Sequence, residues 1–277
     1  MRYDIICKGI FLSRPNRFIA HVLLLADGDR AEKEVVCHVK NTGRCRELLT
    51  AGAAVLVQFH PDAAACGRKT EYSLIGVFKE RDGEMLLINM DSQAPNQVAA
   101  EWLGKMAGAP GLCVGNGLTA GAAAGGRGIS PSAIRNIRRE VTYGQSRFDL
   151  AFELVLESSF PSAGGNGETS IIRPAFMEVK GVTLEENGIA MFPDAPTERG
   201  VKHIMELAKA VEDGYEAYIL FVIQMKGVHT FTPNRKTHPQ FGDALKAACE
   251  AGVHVLARDC LVTENSLEID EAVDVKL

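Results

Sequence analysis

From Tyr218 to Met225 the chain is apolar at every position but Gln224, a pattern suited to a strand covered on both faces. Such a strand belongs at the centre of a sheet, and its neighbours fit that setting. Arg147 to Leu156 alternates, with Phe148, Leu150, Phe152, Leu154 and Leu156 on one face and Asp149 on the other. A Gly/Ser/Pro-rich excursion, Ser158 to Pro174, leads to a second strand, Ala175 to Leu184, so an antiparallel hairpin is expected. Val201, Ile204, Leu207, Ala208 and Val211 fall at helical spacing before Gly214. A last helix, about Pro239 to Glu250, stops near Gly252 and precedes a strand, Val253 to Ala257. The order strand, strand, helix, strand, helix, strand predicts an α/β unit around a mixed sheet.

The first third of the chain is built differently. Short β segments at Phe18 to Ala26, Val35 to Val39, Ala54 to Phe59, Tyr72 to Phe78 and Met85 to Ile88 are separated by turns, with Asp27-Gly28 and Asp82-Gly83 as hairpin signals. About five strands with little helix predict a small barrel, for which the oligonucleotide-binding (OB) barrel is the leading candidate. The boundary is expected near residue 90, giving a barrel over 1–89 and an α/β unit over 90–277. A helix is expected from Asn96 to about Met106. The stretch Gly108 to Gly128, with eight glycines, reads as a flexible loop, because it lacks the Gly-Lys-Ser/Thr ending of a phosphate-binding loop.

Composition narrows the classes. A hydrophobic content of 46% is ample for buried cores. The longest apolar runs, Val22 to Ala26 and Ala217 to Ile223, are strand-length, so no membrane span is expected. The charged start, Met1-Arg-Tyr-Asp-Ile-Ile-Cys-Lys, does not read as a signal peptide. Seven scattered cysteines without a Cys-x-x-Cys pair fit a reduced, cytoplasmic setting. The net charge of −5 argues against a generally basic coat for nucleic acid. Up to residue 90 there are 13 Lys+Arg against 11 Asp+Glu, and 17 against 24 thereafter, so any nucleic-acid surface is a local patch.

Glu178-Val179-Lys180 lies on a predicted strand, so Glu178 and Lys180 share one face while Val179 points to the other. Asp149, on the neighbouring strand, completes a hard-oxygen pair of the kind Mg²⁺ or Mn²⁺ prefers. Hydrolysis of a phosphodiester needs a metal to neutralise phosphate oxygen and acidify water, and a cation to orient that water or stabilise the transition state. Asp149 and Glu178 are therefore the candidate metal ligands and Lys180 the candidate cation. Alone, an Asp followed by Glu-x-Lys is a weak motif, since such residues alternate on the solvent face of many strands. Gln224, on the strand expected to be buried, adds weight because a buried amide needs partners.

The chain resembles the sugar fermentation stimulation protein A family over almost its whole length. Asn16-Arg17-Phe18, the segment Asn41 to Leu49 and Pro95-Asn96 are similar to its N-terminal signatures; Glu140 to Asp149, Glu178 to Leu184 and Phe192 to Gly200 are similar to its C-terminal ones. The resemblance implies an OB-type barrel followed by a PD-(D/E)XK nuclease-like domain, with DNA binding as the activity. By position it implies Asp149, Glu178 and Lys180 as the nuclease motif, Gln224 as its extra polar residue and Glu140 as an upstream acid. Two departures stand out: the Ser158 to Pro174 excursion is long, and Thr237-His238-Pro239 replaces a more usual Asp-Pro.

Arg17, Arg44 and Arg46 sit among turn-forming neighbours in the barrel half and are candidate phosphate contacts, though ordinary surface arginines fit as well. Asp194, Thr197, Glu198 and Arg199 read as a loop and helix start, useful to phosphate or simply a capped helix. Lys202 and His203 on that helix can face substrate or solvent. Arg135, Arg138 and Arg139 form the densest basic cluster, flanked by Ile134, Ile137 and Val141 as in a packed element. Two functions follow as expectations. One is a Mg²⁺- or Mn²⁺-dependent nuclease acting on DNA, or RNA, with little sequence preference. The other is a non-catalytic, non-specific DNA-binding regulator linked to sugar (maltose) metabolism. Oligomeric state is not legible.

Overall fold

Two bulges conceal the first strand, β1 (Ile5–Asn16), from sequence reading. Register shifts between Phe11 and Ser13, and between Ser13 and Asn16, interrupt its alternation along β2 (Ile19–Leu24). Its apolar residues therefore come in clumps, Ile5-Ile6 and Ile10-Phe11-Leu12. The structure, a computed structural model, describes residues 1–28, 31–41, 43, 45–107, 118, 131–158 and 169–277. After β1 and β2 come β3 (Lys33–Val39), β4 (Ala54–Phe59), β5 (Tyr72–Arg81) and β6 (Glu84–Asn89).

Pairings β1–β2, β2–β3, β3–β5, β5–β4 and β4–β1 close a ring of five strands, with β6 hairpinned onto β5. The expected barrel is present with a corrected strand set. β1 belongs to the ring, and the segment Met85 to Ile88, expected as a barrel strand, lies in the added β6. Phe11, Val22, Cys37, Val57 and Leu74 are buried in its core. Asp82 and Gly83 both take positive φ, 54° and 83°, as a two-residue primed turn between β5 and β6 requires.

Next come α1 (Ala94–Ala107), β7 (Ala133–Tyr143), β8 (Ser146–Ser158) and β9 (Thr169–Val182). A short hairpin, β10 (Leu184–Glu186) and β11 (Ile189–Phe192), leads to α2 (Glu198–Glu212) and β12 (Glu216–Ile223). The chain closes with β13 (Thr230–Pro233), α3 (Pro239–Glu250), β14 (His254–Thr263), β15 (Ser266–Ala272) and β16 (Asp274–Val275). Six strands form the main sheet in the order β15-β14-β12-β9-β8-β7; a smaller sheet runs β10-β11-β13-β16. β9, β12 and β14 are parallel neighbours and the outer strands antiparallel, so the sheet is mixed as expected. Every residue of β12 is buried. Ile204, Leu207, Phe241 and Leu245 of α2 and α3 pack with Phe221 and Ile223 on one face. Val98, Trp102 and Leu103 of α1 pack with Tyr218 and Leu220 on the other.

The β8–β9 hairpin is antiparallel as expected, but β9 begins at Thr169, not Ala175, because Thr169 to Pro174 continues the ladder that starts at Ser158. β7 carries the basic cluster. Its period is broken by positive φ at Asn136 and Glu140, 53° each, and by a register shift between Arg135 and Arg138. The small sheet went unread because strands of two to four residues are too short to show alternation. The glycine-rich stretch lies outside the described residues apart from Leu118. No helix among the described residues is long and apolar enough to cross a membrane.

Barrel and sheet are joined by polar contacts. Glu185, fully buried, accepts from Lys79 of β5 at 2.8 Å and pairs with Arg81 at 3.4 Å. Gln224 Nε2 donates to Asn89 Oδ1 at 2.8 Å and to the Asp91 carbonyl at 3.0 Å, while Asn89 Nδ2 donates to the Tyr3 hydroxyl at 2.8 Å.

Candidate active-site cleft

The main sheet opens at its second and third strands. The β8–β9 ladder stops at Leu150 opposite Met177, and the next pair in that register is Asp149 opposite Glu178. There Val179 N–H donates at 2.8 Å to Oδ2 of Asp149, so a side chain takes over from the backbone where the strands diverge. The divergence corrects one expectation. Phe148 packs against Phe176 and Tyr143 in the core beneath α2 and α3, whereas Leu150, Phe152, Leu154 and Leu156 pack under α1.

Asp149, Glu178 and Lys180 line a cleft of about 260 Å³ with Asn96, Glu140, Arg147, Phe192, Thr197, Arg199 and His203. Oδ1 of Asp149 accepts from Asn96 Nδ2 of α1 at 2.6 Å. Oε1 of Glu178 contacts Lys180 Nζ and, at 2.5 Å, His203 Nδ1 of α2. Oε2 of Glu178 is buried and has no hydrogen-bond partner among the described residues. Burial, and then the Glu178 charge, push the Asp149 carboxyl above the ordinary carboxylate value. Burial acts on Glu178 in the same direction, but the His203 hydrogen bond and the Lys180 cation outweigh it and hold that carboxyl below its usual value.

A sequence profile described as the sugar fermentation stimulation protein RE domain matches residues 93–266, and one described as the SfsA N-terminal OB domain matches residues 12–88. The chain belongs to the sugar fermentation stimulation protein family. A homologue from Desulfitobacterium hafniense strain Y51 is 50% identical over 277 residues, all of this chain and 99% of its own. One from Ruminiclostridium cellulolyticum is 46% identical over the full length of both chains. A solved structure described as Pyrococcus furiosus SfsA in complex with Ca²⁺ superposes with a TM-score of 0.73 at 26% identity, covering 100% of this chain and 98% of that one.

In this member of the family the other candidate residues are distributed unevenly. Glu140 stands at the mouth of the cleft, mostly exposed, 3.3 Å from Arg147 Nη1. Arg199 lines the cleft and donates from Nε to His203 Nε2 at 3.3 Å. Lys202 does not line it and lies 3.8 Å from Glu206, one helical turn on. Gln224 is not at the cleft either: its amide is committed to the junction with the barrel, and its Oε1 lies so near Gly181 that a Cβ there would come within 2.6 Å. Arg17 is exposed over the Phe18 ring, 5.0 Å from its centroid, and Arg46 is exposed. Arg44 lies outside the described residues.

Sequence reasoning gave no role to Asn96 or Arg147 and left His203 undecided. The helical spacing of Arg199 and His203, i and i+4, was the signal available for the latter. Outside the cleft, Asp259, Asp270 and Glu271 are, among the described residues, the one set of three acidic side chains compact enough to hold an ion. The ammonium of Lys226 already sits among them, 3.0 Å from Asp259, in contact with Asp270 and 3.2 Å from Glu271.

Proposed function

We propose that the cleft hydrolyses phosphodiester bonds in nucleic acid with a divalent cation, Mg²⁺ or Mn²⁺, held by Asp149 and Glu178. The observation that carries this reading is Oε2 of Glu178, buried and without a partner beside a second carboxylate. A buried acceptor left unpaired costs roughly 1–3 kcal/mol, more when charged. A hard cation is the partner that two carboxylates suit. The Pyrococcus furiosus relative described with Ca²⁺, an ion of the same oxygen preference, supports the reading.

Such an ion, when bound, neutralises phosphate oxygen charge and acidifies a water. The chain's own side chains do the rest. Asn96 and the Val179 amide orient Asp149, and His203 and Lys180 orient Glu178. Arg147 and Arg199 supply positive charge for the phosphate, and the first turn of α2, capped by Thr197, adds its amides. An Asp on one strand and Glu-x-Lys on the next is the PD-(D/E)XK arrangement. Exposed Phe18 and Arg17 give the barrel a stacking and phosphate-contacting edge, and DNA, or RNA, is the partner proposed. Lys180 is engaged with Glu178, which favours a second reading: a DNA-binding regulator of sugar metabolism in which the cleft only binds.

Incubating purified protein with labelled single- and double-stranded DNA and RNA, with Mg²⁺ or Mn²⁺ or with chelator, separates the two. Products are expected only with metal, and none from Asp149→Asn. Binding without cleavage under either ion supports the regulator.

A further inference from the structure

His203 is a helix residue whose ring is buried against the sheet, and both of its nitrogens are engaged. Nε2 accepts from the Nε–H of Arg199, so it carries no proton. The ring proton is then on Nδ1, 2.5 Å from Oε1 of Glu178, and donates to it. Lys180 donates to the same oxygen. Two donors on Oε1 and, among the described residues, none on buried Oε2 make the two oxygens of one carboxylate inequivalent. Hydrogen bonding of the oxygen opposite the metal is how outer-shell groups orient a ligating carboxylate.

We infer that His203 is a positioning residue which, with its proton set by Arg199, engages Oε1 of Glu178 and leaves Oε2 as the single oxygen offered to a cation. Resting on the metal-site reading above, this inference adds its geometry: a one-oxygen ligand held by the Nδ1–H of His203. A glutamate free of such partners can hold a cation through one oxygen or through both. The Arg199–His203–Glu178 chain selects one of them.

The test is cation affinity measured by calorimetry with Mn²⁺ alone, without nucleic acid, so that turnover plays no part. His203→Asn keeps an N–H near the position of Nδ1, whereas His203→Phe fills the space without a donor. Mn²⁺ affinity is expected to fall ~10–100-fold in H203F, the usual cost of losing an outer-shell partner, and to recover to within ~3-fold of the parent in H203N. Carboxylate stretching bands in the infrared are expected to show one-oxygen binding in the parent and H203N, and two-oxygen binding in the Mn²⁺-saturated H203F protein. If circular dichroism shows H203F unfolded, Arg199→Met frees the ring tautomer without opening the core and is expected to weaken Mn²⁺ several-fold. H203F, or R199M in its place, binding as the parent does overturns the inference, as does H203N failing to restore affinity. Glu178→Gln distinguishes the two levels. If the parent and E178Q bind Mn²⁺ alike, or neither binds, the metal-site reading fails and this inference with it. If E178Q loses the ion while H203F keeps it, only the role of His203 fails.

Discussion

Asp149 and Glu178 are chemically alike, yet their surroundings push them in opposite directions, and removing each charge has opposite consequences. Glu178 is held below its usual value by His203 and Lys180 despite burial. It therefore contributes stability that is present above the unfolded value of about 4.3 and lost as pH falls through the lower folded value. Asp149, raised by burial and by Glu178, is the reverse. Its ionised form costs stability, beginning as pH rises past about 3.9 and in full above the raised folded value. At pH 7 in chelator, Glu178→Gln is expected to destabilise by roughly 1–3 kcal/mol, since two donors lose a charged acceptor. Asp149→Asn is expected to leave stability unchanged or raise it. The Asp149→Asn curve should meet that of the parent below about pH 4, and the Glu178→Gln curve only once pH falls below the lowered folded value of Glu178. Urea denaturation across pH checks this, and equal destabilisation by both variants at pH 7 would contradict it. At this scale the sequence was informative: strand periodicity alone put Glu178 and Lys180 on one face. Asn96 and Arg147 were not legible because their approach depends on α1 and the β7–β8 turn, far from Glu178 in the chain.

At the scale of elements, the cleft exists because β8 and β9 part at Asp149 while α1 and α2 approach from either side of the sheet. Gly181 of β9 sits against Pro95 at the start of α1. A Cβ there would lie 2.6 Å from Pro95 Cγ and 2.6 Å from Gln224 Oε1, so the start of α1 would have to move. Gly181→Ala is therefore expected to cost about 1–3 kcal/mol, as overpacking does, and to weaken divalent-ion binding by displacing Asn96, next to Pro95. Thermal melts with and without Mn²⁺ measure both effects. Unchanged melting under both conditions would mean that the contact relaxes freely. The major helices and β12 were readable because each has a strong period or a long apolar run. β1, β7 and the short strands were not, since bulges, positive-φ residues and brevity erase alternation. Gln224 illustrates the limit. Its burial was legible, but the partner it satisfies is the end of β6 and not the cleft, a fact of tertiary packing.

Taken whole, the molecule carries a net charge of −5, so binding to a polyanion depends on where its cations gather and not on their total. Arg147, Lys180 and Arg199 line one cleft, and Arg17 and Arg46 are exposed in the barrel half. If the cleft alone holds nucleic acid, about three phosphates are neutralised, and log Kd should rise with log salt with a slope of ~2–3. Engagement of the barrel as well raises that slope by about one for each added contact. Arg147→Ala is expected to lower the slope by about one whatever the sequence of the probe, and Arg17→Ala to do so only if the barrel takes part. Arg235→Ala, removing a cation that does not line the cleft and is paired with Asp243 at 2.6 Å, should leave it unchanged. Fluorescence anisotropy with a short oligonucleotide, in chelator to prevent cleavage, gives these slopes directly. A Kd that does not vary with salt would mean that the partner is not a polyanion held by these residues. A slope lowered by Arg147→Ala but not by Arg17→Ala would assign binding to the cleft and leave the barrel a different role.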